Sequence, residues 1–176
     1  MPSIPLPPIP ADRPLRIEFV CLGNICRSPM AEVVLRDRAA RRGLGERIET
    51  GSSGIGDWHV GQGADERTVA ALERAGLDGT GHRARAIDAG SAAEADLLVA
   101  LDASHRTALL ELRPDAGERI VLLRRFDPEA HGDLDVPDPY WDGPEEFDRV
   151  LAMITRSVDG LLGALREDLE RTQRRP

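Results

Sequence analysis

One stretch limits the possible architectures more than any other: Val20-Cys21-Leu22-Gly23-Asn24-Ile25-Cys26-Arg27-Ser28-Pro29. The apolar run Ile17-Glu18-Phe19-Val20 before it reads as a short buried strand, and Met30-Ala31-Glu32-Val33-Val34-Leu35 after it reads as a helix. Pro29 suits the first helical position and Ser28 the cap before it. A strand, a tight loop and a helix in succession turn several backbone N–H groups towards one point. The helix N-terminus adds partial positive charge at that point. The segment is therefore an anion cradle, opened by a cysteine and closed six positions later by an arginine.

The residue types suggest a chemistry. A free thiol titrates near ~8.5, and helix N-termini and cationic neighbours lower it by several units. Cys21 is then expected as a thiolate on the floor of a phosphate-sized cup. Arg27 can hold two phosphate oxygens with its planar fork. The Ser28 hydroxyl can donate to the sulfur and make it a better leaving group. This combination points to nucleophilic catalysis on a phosphate ester. A buried structural cysteine is the plainer reading of a lone thiol, but Gly23, Asn24, Arg27, Ser28 and Pro29 in register favour the chemical one.

The length of 176 residues fits one domain with a real core. The two cysteines both lie in the loop, so neither a disulfide framework nor a zinc cluster is indicated, and a reducing compartment is favoured. Net charge is −8 and every basic residue is arginine, without a basic block. That argues against nucleic acid as a partner and leaves phosphate affinity to the local cradle. No apolar run approaches the ~18 residues of a membrane span, and the N-terminus lacks the pattern of a signal peptide. The expectation is a cytoplasmic protein with no membrane partner.

Residues 1–14 hold six prolines and read as an extended, mobile arm outside the domain. Pro5-Leu6-Pro7-Pro8 contains a PxxP pattern, which in a short tail is usually a mere extension. The first helix is expected to run from Pro29 to Arg42, with Met30, Val33, Val34 and Ala40 inward and Gly43 as its stop. Arg47–Thr50 is a second strand, and Gly51–Gly63 a loop carrying Trp58 and His59. Ala64–Ala75 is an amphipathic helix with Val69, Leu72 and Ala75 inward. Ala95–Asp102 is a central strand, Ala103–Leu112 a helix and Arg119–Leu123 another buried strand. Pro144–Leu169 carries the clearest stripe: Phe147, Val150, Leu151, Ile154, Val158, Leu161, Leu162 and Leu165. Strands alternating with helices argue for an α/β fold, a three-layer αβα arrangement around a four-stranded parallel sheet. Ligands in such folds sit beyond the carboxyl ends of the strands, where the cysteine loop lies. Residues 15–170 form the single expected domain, with 171–176 as a tail.

Between the last strand and the last helix, residues 126–143 form a long irregular loop containing Asp133, Asp135, Asp138-Pro139-Tyr140-Trp141 and Asp142. Long loops in compact domains are often functional. Cleavage of a phosphate monoester needs an acid for the departing oxygen and then a base for water, and one carboxyl group can do both. Two adjacent aromatics can wall a pocket for a phenyl ring. The residue types alone do not single out one aspartate.

Cys21-Leu22-Gly23-Asn24-Ile25-Cys26-Arg27-Ser28-Pro29 resembles the signature loop of low-molecular-weight protein tyrosine phosphatases. Asp57-Trp58-His59-Val60-Gly61 is similar to that family's variable loop beside the phosphotyrosine pocket, and Asp138-Pro139-Tyr140 to its acid loop. The resemblance spans roughly residues 15–170. It implies a thiophosphate intermediate on Cys21, with Arg27 and the amides of Leu22, Gly23, Asn24, Ile25 and Cys26 holding the phosphoryl group beside Ser28. It singles out Asp138 as the acid and Trp58, Tyr140 and Trp141 as the pocket, with Trp141 at a position where relatives often carry a second tyrosine or another aromatic. Asn24 would pin the loop. Gly81–Ile87 reads as a solvated turn by composition, but the resemblance implies that His82 supports the loop from behind. Cys26 is either packing or, as the resemblance implies, a partner that traps oxidised Cys21 as a disulfide. The implied partner is a phosphotyrosine-bearing protein, with tyrosine kinases among the candidates; neither cofactor nor metal is implied.

Three alternatives deserve comparison. Arsenate reduction on the same scaffold needs further cysteines, and none follows Cys26. In the phosphoarginine branch a threonine takes the place of Ile25. A module that only binds phosphorylated tails has no use for an acid such as Asp138.

Overall fold

The computed structural model describes residues 6–173; residues 1–5 of the Pro-rich arm and 174–176 of the tail lie outside the described residues. The elements run β1 (Leu15–Cys21), α1 (Arg27–Arg41), β2 (Ile48–Gly54), α2 (Glu66–Arg74), α3 (Ala89–Glu94), β3 (Leu97–Ala100), α4 (Ala103–Leu112), β4 (Ile120–Leu122) and α5 (Pro144–Gln173). Four parallel strands lie in the order β2-β1-β3-β4. Because side chains alternate along a strand, β1 feeds two cores. Leu15, Ile17 and Phe19 join the residues of α1, α2 and α5 in one cluster, while Val20 joins Leu98, Ala100, Ala92 and Leu109 in another with α3 and α4. The expected three-layer arrangement is therefore present, with three helices over one face and two over the other.

The α5 stripe is buried at all eight expected positions. Each such side chain contributes about 1.5–3 kcal/mol by leaving water, so this helix is a principal fastening of the fold. The inner faces of α1 and α2 differ from the sequence reading. On α1 the row Ala31, Leu35, Ala39 is buried alongside Met30, Val33 and Val34, and Ala40 is exposed. On α2 the buried residues are Thr68, Ala71 and Leu72, whereas Val69 is half-buried and Ala75 exposed.

Several boundaries also shift, and two of the shifts bear on the site. The helix α1 begins at Arg27 with Cys26 as its cap and no side-chain capping bond, because the Ser28 hydroxyl is engaged elsewhere. The strand β2 continues through Gly51-Ser52-Ser53-Gly54, which reads as loop by composition. The register pairs Gly51 with Glu18 and Gly54 with Cys21, and both glycines sit where a side chain would collide. A Cβ on Gly51 would lie 2.5 Å from Glu18 Oε2, and one on Gly54 2.9 Å from the Leu22 carbonyl oxygen.

The described part of the Pro-rich segment is tethered. Leu6 and Ile9 pack against the main core, Arg47 donates to the Pro10 carbonyl, and Arg13 forms a forked pair with Asp96 at 2.6 and 2.8 Å. Proline content suggested an unattached arm; two apolar residues and one arginine among the prolines supply the anchors. Among the described residues no helix is long and apolar enough to cross a membrane.

Candidate active site

Strand β1 ends at Cys21, and the chain turns at once into α1, so the loop 21–27 closes over the carboxyl edge of the sheet. Its tight curvature needs one left-handed residue, and this is Asn24 at φ 58°. Asparagine tolerates that region better than most side chains. The cost is offset by a dense set of bonds to a fully buried side chain. Asn24 Nδ2 donates to Ser28 Oγ and Ser52 Oγ, both at 2.9 Å, and its Oδ1 accepts from the Arg85 amide at 2.9 Å. His82 Nε2 donates to the Asn24 carbonyl at 2.7 Å, and Ser52 passes the chain of bonds on to Glu32.

The loop surrounds the sulfur of Cys21. The Asn24 amide donates to Cys21 Sγ at 3.3 Å, and Ser28 Oγ lies 2.9 Å from it. Since Ser28 Oγ accepts from Asn24, its own proton is available to the sulfur. Both cysteines are free thiols. Burial pushes the Cys26 thiol up to about 12, which keeps that sulfur protonated at neutral pH.

Arg27 opens α1, and only 4% of its side chain is exposed. A buried guanidinium needs partners, and it has three. Nη1 donates to Asp102 Oδ2 at 2.9 Å and to the Val136 carbonyl at 3.0 Å, and Nη2 lies 3.4 Å from Asp138 Oδ2. Asp102 caps α4 at the end of β3, accepting from the His105 amide and from Ser104 Oγ. Burial pushes the Asp102 carboxyl up. Hydrogen bonds from Ser104 and the His105 amide, the nearby His105 and the Arg27 bond outweigh it and hold the group below its usual value. His105 is buried against this pair, and loss of solvent lowers its imidazole to about 4.

The acid loop reaches the site from the far end of the chain. Asp138 Oδ1 accepts from the Tyr140 amide at 3.2 Å, and 42% of the Asp138 side chain is exposed at the mouth. Arg67, at the start of α2, holds this loop by donating to the Asp142 carbonyl, with its guanidinium 5.5 Å from the Tyr140 ring centroid and 4.5 Å from that of Phe147. A fork to Asp65 fixes Arg67 in turn. A cleft of about 270 Å³ results, lined by Cys21, Leu22, Gly23, Ile25, Cys26, Arg27, Trp58, His59, Asp138, Tyr140 and Trp141. Trp58 and Trp141 flank it at 66% and 89% exposure, and Tyr140 meets Trp141 edge-on.

The structure thus brings Cys21, Arg27, Asp138 and the three aromatics to one cleft, with Asn24, Ser28 and His82 directly behind the loop. Asp102, Arg67, Ser52 and Arg85 were not singled out in the sequence. Asp102 had one available signal: an aspartate at the carboxyl end of a buried strand in an α/β fold. Arg85 lies in the Gly81–Ile87 segment, from which the resemblance carries over only His82. Arg67 and Ser52 had no signal, since the Asp142 carbonyl and the Asn24 side chain that they meet lie 75 and 28 positions away.

This geometry can be set beside known proteins. Residues 16–172 match the family described as low molecular weight phosphotyrosine protein phosphatase. The low molecular weight protein-tyrosine-phosphatase of Streptomyces coelicolor is 49% identical over 158 residues, covering 88% of this chain and 96% of the relative. The low molecular weight protein-tyrosine phosphatase A of Mycobacterium tuberculosis is 44% identical over 160 residues, covering 90% and 96%. Among solved structures, a protein tyrosine phosphatase from Entamoeba histolytica with Hepes in its active site superposes with a TM-score of 0.83 at 30% identity, covering 87% of this chain and 97% of that one. With a thiol-floored anion loop, a buried arginine, and likeness over residues 16–172, the chain belongs to the low molecular weight phosphotyrosine protein phosphatase family, whose members are cysteine-dependent phosphoric monoester hydrolases.

Proposed function

We propose that this protein hydrolyses phosphotyrosine in protein substrates, with Cys21 as nucleophile, Arg27 as phosphoryl clamp and Asp138 as acid and then base. The phenyl ring enters between Trp58 and the Tyr140–Trp141 pair. Loop amides from Leu22 to Arg27 and the Arg27 guanidinium bind the phosphoryl oxygens, so that developing charge meets donors already in place. The Cys21 sulfur attacks phosphorus in line. The bond from phosphorus to the phenolic oxygen breaks, and Asp138 gives its proton to that oxygen. The Asp138 carboxylate then takes a proton from water as the water oxygen attacks phosphorus. The sulfur–phosphorus bond breaks, Ser28 steadies the departing sulfur, and inorganic phosphate leaves.

The observation that carries this reading is Asp138 Oδ2 lying 3.4 Å from Arg27 Nη2, at the rim of the cleft that Cys21 floors. Residues 111 positions apart meet at one mouth, which a binding module does not need. The two free thiols suit a reducing, cytoplasmic setting. A tyrosine kinase bearing phosphotyrosine is a fitting partner.

A series of aryl phosphates tests the roles. Cys21→Ser should abolish turnover and keep phosphate binding. Asp138→Asn should lose about 10²–10⁴-fold on poor leaving groups and much less on good ones. An equal loss across the series places the acid elsewhere. Phosphoarginine peptides, run beside phosphotyrosine peptides, should be poor substrates.

A further inference from the structure

We infer that Glu18 is a positioning residue for the phosphate loop, acting through Arg85 and Asn24. Glu18 sits in the middle of β1, three residues before the nucleophile, on the strand face it shares with exposed Arg16 and buried Val20. It is 7% exposed, the only acidic residue besides Asp127 among the buried polar side chains of the described residues. Its partner is Arg85, whose Nη2 lies 2.5 Å from Glu18 Oε1. The opposite residue on β2 is Gly51, where a Cβ would stand 2.5 Å from Glu18 Oε2 and 3.1 Å from Arg85 Nη2. Space for the pair is therefore built into the neighbouring strand.

Arg85 belongs to a strap, residues 82–87, that joins the two walls of the cleft. Its backbone amide donates to Asn24 Oδ1 at 2.9 Å, on the phosphate-loop side. Ala84, next to it, accepts from Gly61 and donates to Gln62, on the side of the loop that carries Trp58. Asn24 is the one non-glycine residue at positive φ among the described residues, and its side-chain bonds help hold the loop in that strained form, beside the His82 bond to its carbonyl. Backbone bonds from Gly61 to the Ala84 carbonyl and from Gly54 to the Arg85 carbonyl orient the amide that meets Asn24, and the Glu18 contact adds a side-chain tether at the same residue. The Arg85 side chain is 47% exposed, so losing Glu18 releases it to solvent and leaves the strap held only by its backbone bonds to Gly54, Gly61 and Gln62 and by Asn24.

The inference rests on the loop being the phosphate cradle, which turnover of an aryl phosphate by the unaltered enzyme tests separately. The experiment is a double-mutant cycle on kcat/KM and on competitive inhibition by inorganic phosphate. Glu18→Leu should raise the phosphate inhibition constant and lower kcat/KM about tenfold, within the usual range for coupled neighbours. Glu18→Gln, which keeps a hydrogen bond to Arg85, should stay within about twofold of the starting enzyme. In an Asn24→Gly background, which keeps the left-handed backbone and removes the amide side chain, Glu18→Leu should change neither quantity. Should Glu18→Leu not fold, Arg85→Ala takes its place in the same cycle. Equal losses in both backgrounds, or a well-folded single variant with native phosphate affinity, overturn the inference.

Discussion

Gly54→Ala is the substitution by which the fold can most simply be made to disturb the chemistry. Gly54 ends β2 directly beneath the phosphate loop. An added Cβ would lie 2.9 Å from the Leu22 oxygen, 3.0 Å from the Gly23 carbonyl carbon and 3.1 Å from the Asn24 nitrogen. All three are backbone atoms, so no side chain can swing away. Ordinary contact needs roughly half an ångström more on each. The loop is tied to the following residues by the Ile55 amide to Cys21 and the Gly56 amide to Leu22, at 2.9 and 2.8 Å. It therefore moves as a body or not at all. Overpacking of this kind costs about 1–3 kcal/mol. The atoms that retreat include the Asn24 amide that meets the Cys21 sulfur, and displacement of about 1 Å at a reacting centre can cost about 10²-fold. A loss of about tenfold in kcat/KM on an aryl phosphate is expected, with weaker inhibition by phosphate and a lower melting temperature. A variant that melts as the parent does and keeps its kcat/KM would refute the reasoning.

Three other perturbations have defined outcomes. Gly163→Ala lies on α5 with nothing within 4 Å of the new Cβ; it should stabilise the fold by up to about 1 kcal/mol through helix propensity and leave turnover unchanged, as thermal melting and kinetics can check. Asp102→Ala removes the carboxylate at 2.9 Å from the buried Arg27 guanidinium and should lower kcat/KM on an aryl phosphate by about 10-fold or more, since a buried pair broken on one side typically costs several kcal/mol; an unchanged value would mean that Val136 and Asp138 alone orient Arg27. His105 has its imidazole lowered from 6.5 to about 4, chiefly by burial. Between these values the unfolded chain binds a proton that the native state does not, so stability should fall as pH drops from about 6.5 to about 4, by on the order of 3 kcal/mol, and His105→Gln should flatten that part of a denaturation-versus-pH curve.

How much of this was legible in the sequence depends on how local each feature is. The loop from Cys21 to Pro29 is contiguous, so its chemistry can be read without the fold. The α5 stripe is legible because eight large apolar residues follow one helical period. Gly51-Ser52-Ser53-Gly54 misleads because its small residues mark close approach to Glu18 and to the phosphate loop, which happens only once β2 lies beside β1. Ser28 was expected as a cap, but its hydroxyl is claimed by Cys21 and Asn24 across a loop whose curvature is not written in any one residue. Asp102, Arg67 and Arg85 gain their roles from partners at least 61 positions away, or from a loop that α2 meets in space. A linear reading offers no distance, and it is distance that assigns them.

The account depends most on a covalent bond between phosphorus and the Cys21 sulfur. Rapid quenching of the enzyme in alkaline denaturant during turnover of an aryl phosphate, followed by peptide mapping, tests this directly. The phosphoryl group should be found on the peptide containing Cys21, and Cys21→Ser should remove the acid-assisted turnover that forms it. A phosphoryl group on any other residue, or steady turnover with none on Cys21, would contradict the account.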